Sequence, residues 1–146
     1  MTARAFDFWT RWLMVTSLAT TALGILMVFF DTRVLPGFST RLSLSLWGLP
    51  TLPDDVTRYH EFAHAVLGAV LAAFGIVLTF VVRHAFAARQ RWAWHCIALA
   101  VSVWFLLDSG MSALMNVWPN VVLNLVSVAP FAVALAATRR AFVTTR

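Results

Sequence analysis

Three residues of this chain have the types and the spacing of a catalytic metal site: His60, Glu61 and His64. They form the pattern H-E-x-x-H, in which two histidines four positions apart lie on the same face of a helix. Such a pair can bind zinc, and the glutamate beside the first histidine can act as a general base toward zinc-bound water. The pattern begins a long apolar stretch, where ionisable side chains are costly and usually have a function.

A catalytic zinc site needs a third protein ligand in addition to two histidines. Asp108 is the remaining carboxylate within an apolar stretch, and it is therefore the candidate third ligand. In this interpretation the two histidines and Asp108 bind zinc, and Glu61 is the catalytic base. In the simpler interpretation the chain has no cofactor, and His64 pairs with Asp108 inside a polar cluster.

The composition indicates an integral membrane protein. Of its 146 residues, 61% are hydrophobic and 12% are charged, which is about half the charged fraction of an average soluble domain. All 11 basic residues are arginines. They flank the apolar stretches and do not form a patch with interleaved aromatic residues, which argues against binding to nucleic acid.

Four apolar stretches are each close to the ~20 residues that a helix needs to cross a bilayer. They are residues 12–30, 59–82, 92–115 and 121–138. Because lipid cannot satisfy backbone hydrogen bonds, each stretch is predicted to be a helix. The prediction is an all-α, four-transmembrane-helix bundle that forms one integral membrane domain over residues 1–146. Residues 31–58 form an outer interfacial loop, which Trp47 anchors.

The arginines also predict the orientation of the chain. One side of the four stretches carries Arg4, Arg11, Arg83, Arg89, Arg91, Arg139, Arg140 and Arg146. The other side carries Arg33, Arg41 and Arg58, which nearby acidic residues offset. By the positive-inside rule, the arginine-rich side and both termini face the cytoplasm. The prediction is a multi-pass protein of the inner (cytoplasmic) membrane, with the lipid bilayer around all four spans.

Each predicted span has one face of small and polar residues at helical spacing. These faces are Ser17, Thr20, Thr21 and Gly24; His60, His64, Gly68, Ala72 and Gly75; Asp108, Ser112 and Asn116; and Asn120, Asn124 and Ser127. Because such faces pack helices together in lipid, we expect all four to meet, with the third span at the centre. The polar cluster predicted in the outer half then consists of His64, Asp108, Ser112, Asn116, Asn120 and Asn124.

Two segments resemble the motifs of a known enzyme family, the intramembrane zinc proteases of the site-two type. Those proteases pair an H-E-x-x-H helix with a downstream L-D-G motif, and this chain has HEFAHA at 60–65 and LDSG at 107–110. The resemblance implies a zinc-dependent intramembrane hydrolase. Ser109 interrupts the second motif, and the similarity is confined to these two segments.

A wider resemblance covers the last three spans. The segments AVLGA at 65–69, RWAW at 91–94 and WFLLDS at 104–109, together with 116–124, resemble a group of uncharacterised small four-helix membrane proteins of bacteria. This resemblance implies that the shared polar residues are Asp108, Ser112, Asn120 and Asn124. The histidine pair would then be particular to this chain.

Three functional hypotheses follow from the sequence. The first is a non-enzymatic accessory subunit or binding module, which acts with a partner membrane subunit or as a homo-oligomer; the lack of a complete catalytic set favours it. The second is a zinc-dependent intramembrane hydrolase with Glu61 as its base. The third is a membrane protein that binds a small ligand or a metal ion in the outer polar cluster.

Overall fold

The computed structural model describes residues 1–30 and 37–143, and the regular elements within these ranges are all helical. They are α1 (Ala3–Phe30), α2 (Phe38–Trp47), α3 (Asp54–Phe80), α4 (Arg91–Leu114) and α5 (Trp118–Val143). A π-helical segment, Val81–Phe86, prolongs α3. Four helices, namely α1, α3 with its prolongation, α4 and α5, are long and apolar enough to cross a membrane. The predicted all-α class is confirmed, and four long apolar helices are what a multi-pass membrane protein requires.

The predicted interfacial loop contains the short helix α2. Its first residues, 31–36, lie outside the described residues. The alternating apolar pattern at 41–47 resembles a strand, but a helix satisfies its backbone hydrogen bonds without a partner. Gly48 ends the helix in the left-handed conformation, with φ 67°, and its amide donates to the carbonyl oxygen of Leu44. Helix α2 contacts α5, and its Ser43 is buried.

The four long helices form a ring in the order α3, α1, α5 and α4. Helix α1 packs along α3 and also contacts α5, and α5 packs along α4. The π-helical segment contacts α4 and closes the ring, whereas α3 itself does not pack along α4 in the described part of the chain. The expectation that all four polar faces meet around the third span is therefore wrong. Each face pairs with one neighbour.

Glycines bring α1 and α3 into backbone contact. An added Cβ at Gly68 would lie 2.7 Å from the carbonyl oxygen of Gly24, and one at Gly75 would lie 2.6 Å from the amide nitrogen of Thr21. Real Cβ atoms essentially never lie so close to such atoms. Small residues let helices in lipid approach until their backbones touch. The small faces predicted for the first two spans therefore form one continuous contact.

Large apolar side chains fill the end of the ring that carries the N-terminus, which we call the terminal end. The rings of Phe6, Phe86 and Phe142 pack together, with centroids 4.8 to 5.9 Å apart; Phe6 and Phe86 are stacked, and Phe142 is tilted against both. The guanidinium of Arg89 lies 4.4 Å from the centroid of Phe6. Because Phe86 belongs to the π-helical segment, these contacts hold that segment at the point where the ring closes. The opposite end of the ring, which we call the open end, lacks this closure between α3 and α4.

Candidate functional site

The polar faces of α4 and α5 meet near the turn that joins these two helices. The amide nitrogen Nδ2 of Asn120 donates to Oδ1 of Asp108 at 2.8 Å and to Oγ of Ser112 at 2.8 Å. The Ser112 hydroxyl donates to the same Oδ1 at 3.3 Å. One turn further along α5, Nδ2 of Asn124 donates to Oγ of Ser109 at 3.2 Å. We call Asp108, Ser112 and Asn120 the Asp108 cluster.

The tight turn after α4 sets the register of this contact. Asn116 adopts a left-handed conformation, with φ 59°, which asparagine tolerates better than most residues. The amide of Val117 then donates to the carbonyl oxygen of Ser112 at 2.8 Å. Pro119 occupies the first turn of α5, where no amide donor is needed. Asn120 consequently faces the last turns of α4.

The carboxylate of Asp108 has no cationic partner among the described residues. Its hydrogen bonds come from two uncharged side chains, and both reach Oδ1. The residue is half-buried on a helix that is long and apolar enough to cross a membrane. The hydrogen bonds from Ser112 and Asn120 hold the carboxyl group of Asp108 in position through Oδ1. Oδ2 has no hydrogen-bond partner within the described part of the chain.

The two histidines lie side by side near the beginning of α3. The ring centroids of His60 and His64 are 4.0 Å apart, both residues are half-buried, and Glu61 between them is exposed. The described ranges contain no group of three or more histidine, cysteine, aspartate or glutamate side chains placed to hold a metal ion. The shared helical face predicted for the pair is thus present, without a third ligand among the described residues.

The sequence predicted that His64 pairs with Asp108, but His64 is not among the hydrogen-bond partners of Asp108. The hydrogen bonds that Asp108 accepts come from Ser112 in α4 and from Asn120 in α5. The glycine contact holds α3 against α1, and among the described residues the contact with α4 is made mainly by the π-helical segment. The helix that carries the histidines therefore belongs to the other half of the ring.

Of the other residues predicted for the polar cluster, Asn116 and Asn124 lie outside the Asp108 cluster. Asn116 is exposed, because it lies in the turn after α4 and not on the packed face of the helix. Asn124 is buried and pairs with Ser109, which was not among the predicted cluster residues. The signal for Ser109 was available, since residues 109 and 112 share a helical face at spacing i, i+3.

No family model, curated protein or solved structure matches this chain. The geometry of the Asp108 cluster and of the histidine pair is therefore the basis on which a function can be assigned.

The described residues offer zinc two histidines, which is half of the ligands of a tetrahedral structural site, so we predict that purified protein holds no stoichiometric zinc after dialysis. Elemental analysis by mass spectrometry measures the zinc content per chain. His64→Gln tests the pair, and His84→Gln, which removes an exposed histidine elsewhere, is the matched control. One zinc per chain that is lost in His64→Gln and kept in His84→Gln would contradict this expectation and support the zinc-dependent hydrolase.

Proposed function

We propose that this chain is a non-enzymatic accessory subunit or binding module of the bacterial inner membrane, and that the Asp108 cluster is its binding site. The observation that carries the proposal is a carboxylate on a long apolar helix that Ser112 and Asn120 hold in position. Ionisable groups within membrane spans are expensive, and they are functional by default. Two neutral donors orient this carboxylate through Oδ1, and Oδ2 is available to a group from outside the chain.

The proposal includes an orientation, with both termini in the cytoplasm and the Asp108 cluster in the outer half of the membrane. The charge distribution supports it. The exposed arginines around the terminal end are Arg4, Arg11, Arg83, Arg89, Arg91, Arg139 and Arg140. The first turn of α3, at the opposite end, contains Asp54 and Asp55. Asp108 precedes the end of α4 at Leu114 by six residues, which corresponds to about 9 Å along the helix axis.

The zinc-dependent hydrolase is the less favoured alternative. It requires Asp108 to join the histidines, whereas Asp108 bonds to Ser112 and Asn120. A hydrolase also requires the base Glu61 to face a metal-bound water. In the part of the chain that the structure describes, no metal-holding group includes Glu61.

Photo-crosslinking in native membranes tests the proposed binding site. A photoreactive amino acid at position 107, where the native leucine is 70% exposed beside Asp108, is expected to give one defined crosslinked product. The same group at position 99, where the native leucine is 67% exposed on α4, is about 12 Å nearer the terminal end and is the matched control. Addition of a second 16.2 kDa chain identifies a homo-oligomer, and any other defined mass identifies a partner subunit. Equal products from both positions, or none from position 107, would contradict the proposal.

A further inference from the structure

We infer that the partner of the Asp108 cluster is a membrane-spanning helix that presents an arginine or lysine to Oδ2 of Asp108. This inference rests on the proposed function and names the chemistry of the partner. It depends on two observations that are independent of each other: the charge balance at the cluster, and the exposure of one stripe of α4.

The charge of Asp108 is not balanced by any described residue. Its donors Ser112 and Asn120 are neutral. The described arginines toward the open end are Arg41 and Arg58, and both are exposed. Neither forms an ion pair with Asp108. Charged groups removed from water are normally paired with opposite charge, and within the described residues Asp108 has no such partner.

A stripe of α4 at heptad spacing shows where such a partner can approach. Ile97 is fully buried, Trp104 is half-buried, and Met111 is 57% exposed. Asp108 lies on this same stripe, between Trp104 and Met111 in sequence. At the terminal end the stripe joins the apolar core. Toward the open end the side chains of the stripe become exposed, because α3 does not pack along α4 there.

The uncovered part of the stripe fits a helix better than a soluble cation. Met111 and Met115 are both exposed and apolar, and they lie between Asp108 and the end of the ring. Residues seven apart are the contact positions of helices that pack at about +20°, so the stripe offers a second helix a continuous seam. An apolar helix with one basic residue at the depth of Asp108 therefore matches the stripe in both shape and charge.

A designed guest helix provides the test. The guest is a synthetic leucine–alanine helix that spans a phosphatidylcholine vesicle and carries one arginine about 9 Å below its outer end. A second guest has glutamine in place of that arginine. The full chain carries an acceptor dye on Cys96, which is its single cysteine and is exposed. Energy transfer from a dye on the guest measures association in the bilayer.

We expect the arginine guest to associate at least about tenfold more tightly than the glutamine guest, and we expect Asp108→Asn to abolish the difference. The asparagine keeps an oxygen that accepts the bonds from Ser112 and Asn120, so the helix pair is preserved. Asp55→Asn, which removes an exposed acidic residue toward the same end, is the matched control and should leave the difference intact.

Three results would overturn the inference. The first is equal association of the arginine and glutamine guests with the wild-type chain, and the second is a preference for arginine that survives in Asp108→Asn. The third is association of two labelled copies of the chain through Asp108, which would make a second copy the partner. If the guests associate equally while position 107 still crosslinks, the inference fails and the proposed function stands. Absence of a crosslinked product from position 107 would contradict the proposed function itself.

Discussion

Replacing Gly24 with alanine is expected to lower the free energy of unfolding by about 1–3 kcal/mol, the range found when atoms are forced into a close-packed contact. The new Cβ would lie 2.5 Å from the carbonyl oxygen of Gly68 and 2.9 Å from the Cα of Ala72. Both are backbone atoms of α3, which cannot rotate away as a flexible side chain does. The two helices must separate, and the whole glycine contact then loses its close packing.

Gly110→Ala is the matched control for Gly24→Ala. It makes the same substitution inside a long apolar helix, but no heavy atom lies within 4 Å of the added Cβ. We expect no loss, and a gain of up to about 1 kcal/mol from the better helix propensity of alanine. Reversible unfolding of both variants in mixed detergent micelles, followed by circular dichroism, gives the comparison. Equal destabilisation by the two substitutions would show that α1 and α3 are not in backbone contact.

Replacing Phe86 with alanine is expected to destabilise the chain by about 3–4 kcal/mol, as for other buried phenylalanines. Its ring is stacked on that of Phe6 and tilted against that of Phe142, with centroids 5.7 and 4.8 Å away, and it is fully buried. In a bilayer the loss arises mainly from the cavity, because the neighbouring rings lose contacts that lipid chains cannot replace from outside. The terminal end should loosen before the glycine contact does.

Phe80→Ala is the matched control for Phe86→Ala. Phe80 lies six residues earlier on the same continuous helix and is 62% exposed, so its removal leaves no closed cavity. We expect a change of less than about 1 kcal/mol. The same unfolding measurement compares the pair. A Phe80 effect as large as the Phe86 effect would mean that a partner covers Phe80 and that its exposure in the isolated chain does not reflect its packing.

Residue periodicity predicts much of this fold. Apolar length identifies the four long helices, because lipid leaves the backbone no other way to satisfy its hydrogen bonds. The stripe from Ser17 to Gly24 and the stripe from Gly68 to Gly75 identify the packed faces of α1 and α3, since small residues are needed where backbones touch. A stripe specifies which side of a helix packs. It does not specify which helix it packs against, and for this reason the ring order was not predictable.

The same limit separates the parts of the candidate site that were predictable from those that were not. Asp108, Ser112 and Asn120 come together because a short turn forces α4 and α5 to be neighbours. His64 has no such local constraint, since a long segment separates it from Asp108 and the position of α3 depends on its glycine contact with α1. The predicted contact between the polar residues of α4 and α5 depends on this local turn, whereas the predicted pairing of His64 with Asp108 depends on the packing of distant segments.

The ring divides into two arms that are held together by different kinds of contact. Backbone contact stiffens the arm made by α1 and α3, and hydrogen bonds tie α4 to α5 in the other. The two arms meet around Phe86 and also where Nε1 of Trp12 on α1 donates to the carbonyl oxygen of Pro130 on α5 at 3.1 Å. Asp108 lies toward the open end, so a group that binds it contacts the part of the molecule in which α3 does not pack along α4.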